Sequence, residues 1–206
     1  MFGDGSLTLR EFAMHEPLPL AKVHDEVLGF LRNRNDVVLF GAQAVNAYVE
    51  DARMTQDVDI LSTRAEEFAE ELRAHLNEAF HIAVRVRKVA EGRGFRIFQR
   101  RLPQNRHLAD VRQIEELPPT QLVADIRVPI PEELIAQKLI SLVSRRGQPK
   151  ADTDRRDLKV LLLTFPHLKS ETGPVLARLN AAEADNNMLV EWRSLVATEI
   201  LPEQDW

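Results

Sequence analysis

The 206-residue chain contains no cysteine. That excludes a disulfide framework, a thiolate metal site and a cysteine nucleophile, and it fits a reducing compartment. No apolar run is long enough to cross a bilayer, and the opening residues Met1 to Ser6 offer neither a basic n-region nor an apolar h-region. A cytoplasmic protein with no membrane partner is the expectation. An excess of positive charge is also missing: the net charge of −5 argues against a protein that coats nucleic acid over its whole surface. Histidines with metal-ligand spacing are absent too, so His75, His81, His107 and His167 read as surface or capping residues. Trp192 and Trp206 read as packing or tail residues, because Phe95 and Phe98 are the aromatics that interleave with basic residues.

What is present is an ordinary globular composition, 44% hydrophobic and 29% charged, long enough for one substantial core or two modest ones. Charge is uneven along it. Residues 81–112 hold nine Lys and Arg against Glu91 and Asp110, which reads either as a local cradle for phosphates or as the solvated face of a sheet.

The pattern predicts a surface arm over the first eighteen residues and then a helix carrying Val23, Val27, Leu28 and Leu31, stopped at Asn33-Arg34-Asn35. The apolar run 36–40 predicts a central strand, followed by Gly41 and a helix over 42–50. A second strand spans 56–61, Ser62-Thr63 offers an N-cap, and a helix follows over 64–80. Segments 81–89, 94–100 and 106–114 read as an antiparallel meander, and 122–128 as one further strand or edge segment. From Pro131 the chain is helical in character, over 131–146, 154–164, 172–182 and 183–201. Two domains are expected, an α/β domain over 1–128 and a helical lobe over 129–206.

Within the second strand, Asp57 and Asp59 stand two residues apart, a spacing that turns both carboxylates to one face. Such a pair repels itself unless a cation lies between, and a divalent metal, Mg²⁺ foremost, is the commonest partner for hard oxygen ligands. Gly41 directly after a strand lets backbone N–H groups approach a phosphate, with a helix start behind it.

Gly41-Ala42 followed by Arg53-x-Thr55-x-Asp57-Val58-Asp59-Ile60 resembles the signature of the DNA polymerase β-type nucleotidyltransferase superfamily. The resemblance implies an α/β nucleotidyltransferase fold, a small mixed sheet flanked by helices. It implies two Mg²⁺ ions on the Asp-x-Asp and a third carboxylate from a later strand. Asp110 in Leu108-Ala109-Asp110-Val111 is the preferred candidate for that carboxylate and Asp125 its rival. Gly41, Ala42, Arg53 and Thr55 would then face a nucleoside triphosphate. Ala42 departs from the usual Ser or Gly, which removes a hydroxyl but spares backbone contacts.

The second half, with Pro131-Glu132-Glu133-Leu134 through Lys138, then Arg145-Arg146, Lys150 and Asp154-x-x-Asp157-Leu158, is similar to the AbiEii-type family, which includes toxins of toxin-antitoxin pairs. There a helix lysine and an acidic Asp-Leu position join the active site, which nominates Lys138 and Asp157. Independently, Lys138 falls inside the stripe formed by Leu134, Ile135, Leu139 and Leu142, so it must find a carboxylate or a bound phosphate. A structural Lys138–Asp157 ion pair is the alternative. Asp154 reads as an N-cap, and Arg145 and Arg146 as cations offsetting a helix end.

The reaction implied is transfer of a nucleoside monophosphate with loss of pyrophosphate. The acceptor is an RNA such as a tRNA 3′ end, with an antitoxin as protein partner; a small hydroxyl compound of antibiotic type and a decayed nucleotide-binding protein are the competing readings.

Overall fold

A computed structural model describes residues 18–50 and 52–202. Most of the expected N-terminal arm, and Trp206, lie outside the described residues. The chain divides after Pro129 into two compact units.

The first unit opens with helix α1, Leu20–Leu31, whose Val23, Val27, Leu28 and Leu31 are buried. It stops where Asn33 takes φ 58, a conformation that asparagine tolerates, and the Asn33 N–H donates to the Asp125 carbonyl at 2.8 Å. Strand β1, Val37–Phe40, is a run of buried β-formers. Helix α2, Gly41–Asn46, is shorter than the expected 42–50. Asn46 explains the early end: its side-chain amide bonds the Arg53 backbone both ways, at 2.8 and 3.2 Å, and draws the chain into a loop.

Strand β2, Val58–Ser62, starts later than expected, leaving Asp57 just ahead of it. Helix α3, Ala65–Phe80, buries Phe68, Leu72 and Leu76. Ser62 does not cap this helix. Its hydroxyl donates to the Asp36 carbonyl and accepts from the Arg64 N–H, while the Gln113 side chain accepts from the Ala65 N–H at 2.9 Å. The meander follows as β3, Val84–Val89, β4, Gly94–Gln99, and β5, Arg106–Gln113.

These strands form a mixed sheet in the order β1-β2-β5-β4-β3, with β2 and β5 parallel and the other neighbours antiparallel. Val58, Ile60, Phe95, Ile97, Ala109 and Val111 supply the core, together with Val23 and Val27 of α1 and Phe68, Leu72 and Leu76 of α3. Strand alternation turns Asp59, Asp110 and Arg96 to the opposite face.

The expected single strand over 122–128 is instead a hairpin: β6, Thr120–Val123, and β7, Ile126–Pro129, joined by Ala124 and Asp125 at φ 50 and 66. Two positive φ values make the tight reversal that hairpins favour, here without the Asn-Gly signature.

The second unit comprises α4, Pro131–Ser144, α5, Pro149–Thr164, α6, Pro174–Ala181, and α7, Asn186–Ala197. Pro149 begins α5 instead of interrupting it, since a first-turn proline gives up a donor the helix would not use. Asp154 is thus inside that helix, not its cap. Trp192 is buried, as a packing residue should be. Among the described residues no helix is long and apolar enough to cross a membrane.

One ionic network holds the end of β1 to α3. Asp36 accepts from Arg34 at 2.9 and 2.8 Å and from Arg64 at 2.8 Å, and both arginines also bond Glu71. The Arg34 hydrogen bonds outweigh the cost of burial and, with Arg64, hold the Asp36 carboxyl well below the usual carboxylate range. A depressed pKa stabilises the fold above the unfolded value of 3.8 and that contribution is lost as pH falls. Asp36→Asn should therefore lower the urea midpoint at pH 7, and its gap from wild type should narrow steadily in unfolding curves taken from pH 5 down to about pH 2.

Candidate functional site

Asp59 and Asp110 are direct partners across the parallel β2–β5 pair. Paired residues project from the same face, so the sheet itself brings the two carboxylates together. The row continues outward: Phe40 stands opposite Asp59, Arg96 opposite Asp110, and Arg87 opposite Arg96. Asp125, in the hairpin turn and exposed, is nowhere in this row.

Cations offset the repulsion. Arg96 donates from Nε and Nη2 to the two oxygens of Asp110 at 3.0 and 3.1 Å. Arg112 approaches Asp59 at 3.9 Å with its guanidinium 4.8 Å above the Phe40 ring. His107 stands between the remaining carboxylates, with Nδ1 3.1 Å from Asp57 Oδ2 and Nε2 3.1 Å from Asp110 Oδ1. The second contact is close but poorly aligned, so Nε2 is buried without a hydrogen bond among the described residues.

Burial pulls the His107 pKa down, but the contacts and charges of Asp110 and Asp57 outweigh it and push it up to about 9. Burial likewise works to raise Asp110, and His107 and Arg96 overcome it, holding the carboxyl at about 2. Asp110 is therefore a fixed negative charge.

His107 is the residue that strand alternation conceals. Three positions separate it from Asp110, which in a regular strand places them on opposite faces. The β4–β5 register shifts between Ile97, opposite Ala109, and Phe98, opposite His107, so Leu108 is an extra residue. That bulge returns His107 to the face of Asp110. Arg96 was visible as one of many basic residues, but its partner follows only from register.

Gly41 backs the site from the end of β1. Its φ is +70, and a Cβ there would lie 2.4 Å from Asp59 Oδ2, so glycine is required on both conformational and steric grounds. Ala42 follows in the first turn of α2, a helix of only six residues. Thr55 accepts from the Gln43 side chain at 2.7 Å, and Arg53 is the residue stitched to Asn46. Both shape the loop leading to Asp57.

The donors fit a divalent cation. Asp57, His107 and Asp110 each present a ligand atom within 4.8 Å of the others, and His107 Nε2 is buried without a hydrogen bond among the described residues. Arg96 takes one lone pair of each Asp110 oxygen and leaves others available.

In the second unit Lys138 is buried, as its place in the apolar stripe requires. It donates to Asp157 at 2.7 Å and to Asp154 at 3.2 Å, while Arg145 donates to Asp154 at 3.0 Å. Asp154 and Arg145, read from sequence as a cap and a helix-end cation, are members of this buried network. The structure thus groups Gly41, Asp57, Asp59 and Asp110 in one unit and Lys138 with Asp157 in the other.

Two substitutions separate architecture from chemistry. Gly41→Ala forces a left-handed alanine against Asp59, and should cost about 1–2 kcal/mol in chemical denaturation while weakening divalent-ion binding; Ala42→Ser should do neither. Lys138→Met strands two buried carboxylates, for an expected loss of about 3–5 kcal/mol, and a variant that unfolded at the wild-type urea concentration would show that the network is not structural.

Comparison with known proteins bears on the family and the fold. Residues 28–165, more than half of the chain, match the family model described as nucleotidyl transferase AbiEii toxin, type IV toxin-antitoxin system. Among solved structures, the Megavirus polyadenylate synthase is similar with a TM-score of 0.61 at 15% identity, over 77% of this chain and 34% of that one. This chain therefore spans about a third of the viral protein's length. JHP933 from Helicobacter pylori is similar with a TM-score of 0.53 at 12% identity, over 93% of this chain and 92% of that one. At such identities the likeness shows the fold alone. No curated protein matches the sequence. A mixed sheet that pairs Asp59 with Asp110 beside Gly41, within a family match of this extent, leads to one assignment: the chain belongs to the AbiEii nucleotidyltransferase family.

Proposed function

We propose that this nucleotidyltransferase transfers a nucleoside monophosphate from a nucleoside triphosphate to a hydroxyl of RNA, at a Mg²⁺-dependent site built on Asp57, Asp59 and Asp110. The observation that carries the reading is the register pairing of Asp59 with Asp110, with Asp57 one residue ahead of the same strand. Two hard carboxylates fixed by one sheet are poor company for each other and good company for a divalent ion.

When bound, the metal supplies charge neutralisation at the phosphates and polarises the reacting oxygens. The chain's own residues do the rest. Asp110, kept ionised by His107 and Arg96, acts as a ligand and not as the proton acceptor, since its low pKa makes it a weak base. Gly41 leaves the space in which the Asp59 carboxylate lies, and the backbone at Gly41 and Ala42 borders the phosphates. Thr55 and Arg53 hold the approach loop. Lys138 and Asp157 keep the helices of the second unit in place, and their part in catalysis would be positional.

RNA is favoured over a small hydroxyl compound by the row that runs Asp59, Asp110, Arg96, Arg87 across the sheet. Arg85 and Arg87 are exposed on β3, so positive charge begins where the carboxylates end. A polyanionic acceptor matches that gradient, whereas a cationic antibiotic would be repelled by it. In this reading the protein is a growth-inhibiting toxin held in check by an antitoxin, in the cytoplasm.

When the α-labelled nucleoside triphosphates are incubated one at a time with the protein, Mg²⁺ and total tRNA, at least one should label the tRNA. Asp59→Asn should reduce transfer by about 10³-fold or more, on the scale of losing a principal electrostatic group, and tRNA binding should fall steeply as salt rises. Label on the protein alone, or transfer undiminished in Asp59→Asn, would overturn the proposal.

A further inference from the structure

We propose that His107 is itself a ligand of the divalent ion at this site and turns its preference from Mg²⁺ towards Mn²⁺. The inference rests on reading Asp57, Asp59 and Asp110 as metal carboxylates and adds to that set a nitrogen donor from β5.

Three observations converge on the imidazole. His107 Nε2 is buried and makes no hydrogen bond among the described residues, although Asp110 Oδ1 is only 3.1 Å away. The two atoms are in ion-pair contact without hydrogen-bond geometry, which leaves the nitrogen's bonding capacity for a further partner. Second, Nδ1 lies 3.1 Å from Asp57 Oδ2, so a carboxylate fixes the orientation of the ring, and an ion bound at Nε2 displaces into solvent the proton which that nitrogen otherwise carries. A metal-bound histidine is oriented in this way by the partner of its other nitrogen. Third, His107 reaches this face because β5 gives up regular pairing at Leu108. Bulges that break a ladder to re-aim one side chain gather beside active sites.

The donor set then decides the ion. Mg²⁺ prefers an all-oxygen octahedron and keeps its waters. Imidazole suits transition-metal ions better than Mg²⁺, while carboxylates suit both Mg²⁺ and Mn²⁺, so replacing one oxygen donor by an imidazole shifts a mostly oxygen site from Mg²⁺ towards Mn²⁺. Arg96, bidentate on Asp110, keeps one carboxylate in register while the ion is exchanged.

The test uses the full chain, without nucleotide, titrated with Mn²⁺ or Mg²⁺ alone. Mn²⁺ bound to wild type should show ¹⁴N coupling in pulsed electron paramagnetic resonance, absent in His107→Gln. The Mn²⁺-over-Mg²⁺ affinity ratio should fall about tenfold or more in that variant, the scale of disturbing a ligand shell. His107→Asn, which keeps a donor near the Nδ1 position, should fold with a wild-type urea midpoint and lose the coupling as well. Mn²⁺ binding that depends on Asp59 yet shows no nitrogen coupling, or coupling that survives in His107→Gln, would overturn the role of His107 and leave the carboxylate site standing. A wild-type protein that binds neither ion would overturn both.

Discussion

Direct pairing of Asp59 with Asp110 across two parallel strands is the constraint around which the first unit is arranged. Like charges opposed on a sheet destabilise it, and neither residue can turn away without leaving its strand. The chain meets the cost with cations drawn from the same face: Arg96 from the next strand, Arg112 from two residues further along β5, and His107 from the bulge. It is this need for surrounding positive charge that motivates the proposed divalent-ion site.

Two local irregularities follow from that constraint. Gly41 takes a positive φ at the end of β1 because its Cβ would otherwise occupy the space of the Asp59 carboxylate. Leu108 is surplus to the β4–β5 ladder, and its insertion turns His107 towards Asp57 and Asp110. Each gives up regularity at one residue to shape the surroundings of the same acidic row. The ionic network at Asp36 lies at the other end of β1 and β2, where Val37 pairs with Ser62, so electrostatic anchoring of the strands and the acidic row are kept apart along the same two strands.

Much of this was legible in the sequence because it depends on periodicity. The α1 and α3 stripes, the buried run of β1 and the mid-strand place of Asp110 all follow from which positions are apolar. What was not legible depends on single backbone choices that composition does not signal. His107 reads as a surface residue because the histidines lack metal-ligand spacing, and its place beside Asp110 depends on one extra residue in β5 that no pattern announces. The hairpin at Ala124 and Asp125 has no glycine to announce it. The short α2 ends because Asn46 prefers the Arg53 backbone, and Pro149, outside the helix expected from residue 154, is the first turn of α5. The position of Asp154 was misjudged for the same reason: with the helix start set five residues late, a buried charge looked like a cap.

The two charged clusters, each within its own unit, differ in a way that bears on their roles. Lys138, Arg145, Asp154 and Asp157 sum to zero, and the side chains of Lys138, Asp154 and Asp157 are 8%, 5% and 0% exposed. Each charge there already has a partner within hydrogen-bond reach, and removing one would leave another stranded in a low dielectric. Charges this deeply buried and paired tie together the two helices that carry them. In the first unit, Asp57, Asp59 and Asp110 are 30%, 24% and 19% exposed, and their compensation is uneven, from a bidentate fork on Asp110 to a 3.9 Å approach at Asp59. Partial solvation lets one cation replace another at modest cost. Exchange of charge is what the proposed site needs, and the row on the sheet, unlike the buried lysine, has the solvent access for it.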